Sequence, residues 1–343
     1  MLGFLKRVVS APRPELYGLD HAVLNMPLPS PTMWMNLGYW ESTTDFAEAC
    51  QALLDQVLAS SLWPDKAQSV RVVDVGCGCG DQSLYLASLA RDASPSTKNP
   101  ASASGSKATE APSPAIRPRI PHASAPPLID DYIGITVEPA QAAFAKKRLQ
   151  SSHQGLQGAT SRSSAKIFCA DAADPTSWSG DLEASINDLI GTSQAPNTAT
   201  WLLALDAVYH FRPSRLPILQ YACSTLHASF MAFDLILADG ASWWDRLLLR
   251  LVCWVTGAPF SNFISQGDYV QMLVTAGYDP SLVEMRDISG HVFSGLAGFL
   301  ERRVSEARPF GLKMRKYSAA KRVFGWWARS GVVRGVVVVA RRS

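Results

Sequence analysis

The stretch VVDVGCGCGDQSLYLA, residues 72–87, constrains this chain more than any other. A β-branched run ends on a loop with glycines at 76, 78 and 80 and passes straight into helical sequence. Glycines at such a turn let backbone approach a ligand closely, beside the free amides of a helix N-terminus. A dinucleotide fingerprint, G-x-G-x-x-G, does not fit, because the third glycine comes one residue early and Asp81 follows it. The Walker pattern fails as well, since no lysine follows the last glycine. Asp74 and Asp81 flank the turn; two carboxylates would repel a pyrophosphate but suit a ligand that carries an ammonium and a sulfonium.

Around this loop, short β-branched runs alternate with longer helical ones. Residues 45–60 place Phe46, Ala49, Cys50, Leu53, Leu54, Val57 and Leu58 at helical spacing, and 81–91 and 139–150 read as further helices. Strands are predicted at 70–75, 129–135, 166–170, 201–206, 232–238, 281–287 and 335–340. Such alternation specifies an α/β chain whose mainly parallel sheet is covered by helices on both faces. One segment breaks the pattern: residues 92–127 hold eight Pro, eight Ala and seven Ser among 36 residues and no aromatic. That composition cannot offset its own ordering entropy, so it is read as a disordered insertion. The expected organisation is an N-terminal extension over 1–33 and one domain formed by 34–91 and 128–343.

Composition excludes some functions. A net charge of +3, from 32 basic and 29 acidic residues, is too near balance for a protein that coats phosphate backbones, so no nucleic-acid partner is expected. The six cysteines are scattered, and their one close pair is a C-x-C inside the glycine loop rather than the C-x-x-C pairs of a zinc site, so reduced thiols and no metal are expected. No run is long and apolar enough for a membrane span, and Lys6 and Arg7 interrupt the N-terminal apolar stretch, which points to a cytoplasmic chain.

VVDVGCGCG resembles motif I of the class I S-adenosylmethionine-dependent methyltransferases. Further segments, in order, resemble the sterol, tocopherol and small-molecule branch: MNLGYW (35–40), GITVEPAQAAFAKKR (134–148), CADAADP (169–175), LALDAVYHF (203–211) and GYDPSLVEMRDISGHVFSGLAGFL (277–300). The resemblance implies a seven-stranded, mainly parallel Rossmann-like sheet with an antiparallel last strand, a helical lid after the fifth strand, and S-adenosylmethionine as cofactor. It places Asp74, Gly76, Gly78, Gly80 and Gln82 at the methionine end, with Tyr39 and Asp206 also in the cofactor pocket. Thr136 and Gln141 fall at the ribose, and Asp171 and Ala172 at the adenine. Thr136 stands where the wider superfamily has an acidic residue. The segment after the fourth strand, Asp206-Ala207-Val208-Tyr209, lacks the N/D-P-P-Y/F tetrapeptide of enzymes that methylate bases or protein glutamine.

His210 and Asp239 follow the fourth and fifth strands, on the carboxyl edge where ligands of open α/β sheets bind, and are the candidate catalytic groups. Each also has a bland reading, as a backbone-bonded histidine and a helix cap. Trp40, Trp243, Trp244 and His291 are the candidate substrate contacts. In SWWDRLLLRLVCWV (242–255) Ser242 and Asp245 form a capping box, and apolar residues circle the helix, which is therefore buried, or closes over an apolar ligand, or rests on a membrane. Residues 301–329 carry nine Lys or Arg against two Glu, beside Trp326 and Trp327, the pattern of a basic tail in peripheral contact with an anionic membrane or of a solvated basic helix. The expected function is methylation of a small lipophilic metabolite on oxygen or carbon. N-methylation of an amine and a non-catalytic cofactor-binding subunit are its rivals.

Overall fold

The computed structural model describes residues 32–61, 69–89, 128–154, 164–178, 180–191, 198–308 and 313–342. The expected insertion 92–127 and nearly all of the expected 1–33 extension lie outside the described residues. The strands are β1 (Ser69–Val75), β2 (Asp131–Thr136), β3 (Ser164–Cys169), β4 (Thr198–Leu205), β5 (Ser229–Leu237), β6 (Val283–Asp287) and β7 (Val333–Ala340). They form one sheet in the order β3-β2-β1-β4-β5-β7-β6, in which β7 runs antiparallel to both neighbours. The described α-helices are α1 (Phe46–Ser61), α2 (Asp81–Ser88), α3 (Pro139–Gln154), α4 (Gly180–Gly191), α5 (Leu216–Ser224), α6 (Trp243–Thr256), α7 (Gln266–Ala276), α8 (Phe293–Ala307) and α9 (Arg315–Ser330).

Alternate side chains of the central strands enter two cores. Val70 and Val72 of β1 join the core under α1, α3, α8 and α9, whereas Val73 and Val75 join the one under α4, α5 and α7. A strand buried on both faces needs continuous apolar sequence rather than alternation, which is why SVRVVDV sits mid-sheet. All seven apolar residues expected on one face of the first helix are buried.

Strand ends shift by a few residues for local reasons. β4 stops at Leu205 because Asp206 turns into the left-handed region at φ 59°. β6 starts at Val283 because Asp279 caps a 3-10 turn over Pro280–Leu282, its side chain accepting from the Ser281 amide. The chain reverses direction across the sheet between β1 and β4, so the loops after these two strands open a crevice at their carboxyl ends.

Candidate active site

A cavity of about 660 Å³ fills that crevice. Its floor is the loop Gly76–Cys79 with Asp81 and Gln82, joined by Leu205, Asp206, Tyr209 and His210 beyond β4. The 33–37 segment roofs it. Its far end is walled by Leu251, Val252 and Val255 of α6 and by Tyr317, Ala320, Val323, Phe324 and Trp327 of α9. A polar glycine turn thus opens directly into a chamber of mostly apolar side chains.

The loop owes its shape to tight backbone approach. Gly76, Gly78 and Gly80 have φ of 92°, 57° and 86°. A Cβ at Gly76 would lie 2.5 Å from Ala207 Cβ, and one at Gly80 2.9 Å from Ala145 Cβ, so these two glycines are demanded by packing. At Gly78 a Cβ would meet only the end of the Met35 side chain, at 3.2 Å, so that position faces the cavity.

The two carboxylates that flank the loop are both already held. Gln82 Nε2 donates to both oxygens of Asp74, at 2.8 and 2.6 Å, and the Tyr132 hydroxyl donates to Oδ2. Burial pushes the Asp74 carboxyl up to about 6, against the pull of those hydrogen bonds. Asp81 is clamped by Arg148, whose guanidinium donates to both its oxygens at 2.6 and 2.8 Å. Asp74 thus lies beneath the loop and shapes it, whereas Asp81 lines the cavity as expected but with its charge already answered by Arg148.

Asp206 differs from both. It lines the cavity, and its Oδ1 is buried with no hydrogen-bond partner among the described residues. Burial holds its carboxyl well above the usual range, although the Tyr209 side chain and the Leu37 backbone bond to it. An acceptor left unpaired in this way is costly unless a ligand donor meets it. An ammonium group fits the requirement.

His210 also lines the cavity. Burial, with Arg212 adding to it, lowers its pKa to about 4, so the imidazole is neutral at physiological pH. Its loop is pinned from behind. Asn262 Nδ2 donates to the Tyr209 and Phe211 carbonyls at 3.0 and 2.7 Å, while Arg215 pairs with Asp234 at 2.6 Å and the Tyr269 hydroxyl donates to the same carboxylate at 2.8 Å. Neither cysteine of the loop is a nucleophile, since burial pushes Cys79 up to about 12 and Cys77 well above its ordinary value.

The other expected site residues divide into two groups. Thr136 and Gln141 are buried and bonded to each other at 3.0 Å, and Gln141 Nε2 lies 3.6 Å from Met35 Sδ. Met35 therefore lies across the loop, between Gly78 and Gln141. Asp171 is exposed and its Oδ1 accepts from the Ala173 amide, with Ala172 buried beside it; these two, like Thr136 and Gln141, stand outside the cavity lining.

The remaining expected site residues lie outside the cavity lining. Tyr39 is buried with its hydroxyl on Glu41, 2.9 Å away, and Trp40 packs against Phe299 and the Gly295 backbone, its amide donating to the His291 carbonyl at 2.7 Å. These three residues tie the 36–40 segment to α8 and do not line the cavity. Asp239 is exposed and likewise outside it. Trp243 and Trp244 stack on each other with ring centres 3.8 Å apart, exposed and outside the cavity lining, because only the later turns of α6 reach the chamber. The capping box stands, the Asp245 amide donating to Ser242 Oγ at 3.1 Å. Plain burial of that helix does not, since only Leu249 and Cys253 of it are buried. In the basic tail Trp327 is buried and Trp326 packs on the same core. These tryptophans are part of a wall rather than a free surface.

Met35, Asn262, Arg215 and the apolar side of α9 are not among the residues expected from sequence. The last had a signal, since Tyr317, Ala320, Phe324 and Trp327 recur at helical spacing.

No family model matches the sequence, and no curated protein matches it. Solved structures do. The chain is similar to the cyclase SpnF (TM-score 0.54, 17% identity, 96% of this chain and 94% of that one). It is similar to the cyclopropane synthase MmaA2 of Mycobacterium tuberculosis (0.55, 12%, 97% and 100%). A third match is a geranyl diphosphate methyltransferase (0.51, 12%, 95% and 87%). The first of these is named for a cyclisation, so likeness at such identity speaks to architecture and leaves chemistry to the site. The sheet order, the antiparallel β7 and these neighbours together give the chain the fold of the class I S-adenosylmethionine-dependent methyltransferases.

Proposed function

We propose that the protein transfers a methyl group from S-adenosylmethionine to a small lipophilic metabolite. One observation carries the reading: a single cavity runs from the glycine loop to an apolar chamber, which places a polar cofactor and a greasy substrate end to end. The cofactor, when bound, supplies an electrophilic methyl on a sulfonium. Asp206 Oδ1 would accept from its ammonium, and the backbone of Gly76 and Gly78 would lie against the methionine portion. Thr136, Gln141 and Asp171 are the residues proposed for the adenosine, reached once Met35 swings from between them and the loop.

The chain's own work is alignment and exclusion of water. Asn262 and the Arg215–Asp234 pair hold the 209–211 turn, so His210 meets the chamber from a fixed backbone. With a pKa of about 4 it is a weak base, far from the value that suits proton removal at neutral pH. This favours a nucleophile with no proton to lose before it reacts, an electron-rich carbon or a neutral amine, over an alcohol. A geranyl diphosphate methyltransferase of the same fold is compatible with a lipophilic acceptor.

Calorimetric titration with S-adenosylhomocysteine is the test. Saturable binding at one site per chain supports the reading, and no binding at millimolar ligand would refute it. Binding without turnover on any lipid or amine tried would favour the non-catalytic subunit.

A further inference from the structure

α6 carries an apolar face with nothing packed on it among the described residues. Trp243, Trp244, Leu247, Leu248, Leu251, Trp254 and Val255 span an arc of about 140° on a 3.6-residue turn, and all are about half exposed or more, Trp254 by 80%. A contiguous patch of this kind on a helix marks a contact surface. Two further observations say with what.

The first is continuity with the chamber. Leu251 and Val255 are 55% and 68% exposed on the outer face and also line the cavity, so the apolar patch runs without interruption into its mouth. The second is charge. Arg246 and Arg250 stand exposed along one edge of the apolar arc, and across the mouth Lys316 stands in the first turn of α9, which has five basic residues and no acidic one. The one acid of α6, Asp245, is engaged with Ser242. Tryptophans and leucines edged by arginines suit the boundary between acyl chains and anionic headgroups.

We propose that α6 docks the protein on an anionic lipid bilayer and that the chamber takes its lipophilic substrate directly from that surface. The substrate half of this inference rests on the methyl-transfer reading, and the docking half does not. It places the contact on the lid helix, one of the readings its sequence allows, rather than on the tail tryptophans, which pack on the core.

Vesicle flotation tests it, using the full chain with phosphatidylcholine vesicles that contain or lack phosphatidylserine. The expected result is flotation with the anionic vesicles, weakened about tenfold or more in Trp244→Ser/Trp254→Ser, with loss of the preference for phosphatidylserine in Arg246→Glu/Arg250→Glu. Both variants change exposed side chains outside the cavity, and circular dichroism verifies their folding. No flotation of the wild type, or flotation unchanged by the tryptophan substitutions, would overturn the proposal. So would sedimentation showing a dimer that the same substitutions dissolve, which would give the face to a second copy. S-adenosylhomocysteine titration of the same preparations separates the two readings: normal binding without flotation sinks docking alone, and flotation without binding sinks methyl transfer alone.

Discussion

Arg215 and Asp234 form an ion pair at 2.6 Å with both side chains wholly shielded from water, directly behind the turn that carries His210. Removing one partner of such a pair leaves an uncompensated buried charge. Arg215→Met is therefore expected to lower stability by about 3–5 kcal/mol in urea unfolding. The more exposed pair Arg303–Glu306 is a control, and Arg303→Met should cost less than about 1 kcal/mol.

The three glycines of the loop should separate folding from binding. Gly76→Val drives a side chain into Ala207 and should prevent folding, whereas Gly78→Val meets only the flexible end of Met35 and adds left-handed strain of about 1–2 kcal/mol. Gly78→Val should thus fold and lose S-adenosylhomocysteine affinity by more than about tenfold, because its side chain enters the cavity. Circular dichroism with calorimetry on both variants checks the contrast.

Asp206→Asn should weaken S-adenosylmethionine binding by about 1.5–3 kcal/mol, the range for a hydrogen bond to a charged group. Asparagine tolerates the left-handed backbone at this position, so the fold should survive. Because burial raises the Asp206 pKa and only the ionised carboxylate attracts a cation, wild-type affinity should rise with pH as that group ionises. The asparagine variant should lose that dependence in titrations over the same pH series.

Acidification pulls stability in two directions. In the unfolded chain a histidine titrates near 6.5, but His210 in the fold titrates at about 4, so the unfolded state binds a proton first and stability falls as pH drops through that window. Asp74 and Asp55, both raised to about 6 chiefly by burial, act oppositely: the native state takes up their protons before the unfolded one does, and their contribution is lost as pH rises through 6. His210→Gln removes only the first effect. Urea midpoints at about pH 7 and about pH 5 should show the variant gaining stability on acidification relative to wild type, and equal slopes would mean His210 is not held neutral.

What could be read from sequence was local. The β1 turn and α2 are legible because glycine spacing, a β-branched run and the helix that follows are contiguous, and the face of α1 is legible because its seven apolar residues repeat at 3.6. Asp206, too, was legible as a pocket residue. Its solitary role was not, because Arg148 neutralises Asp81 from 67 residues away and only folding brings the two together. Composition alone marks Trp243 and Trp244 as chamber contacts. Position along α6 decides which apolar residues meet the cavity, and Leu251 and Val255 of its later turns reach the mouth while the first turn does not. Likewise the basic character of α9 masked its apolar side, since charge and wall lie on the same helix, one residue apart at Lys316 and Tyr317.

The central claim is that one cavity joins a methyl donor to a lipophilic acceptor. Its most direct test is incubation of the protein with deuteromethyl-labelled S-adenosylmethionine and a lipid extract, followed by mass spectrometry of the organic and aqueous phases. The account predicts a deuteromethyl-labelled product in the organic phase that is absent with Gly78→Val. Labelled product found only in the aqueous phase, or an unlabelled organic phase from protein that binds the cofactor normally, would contradict it.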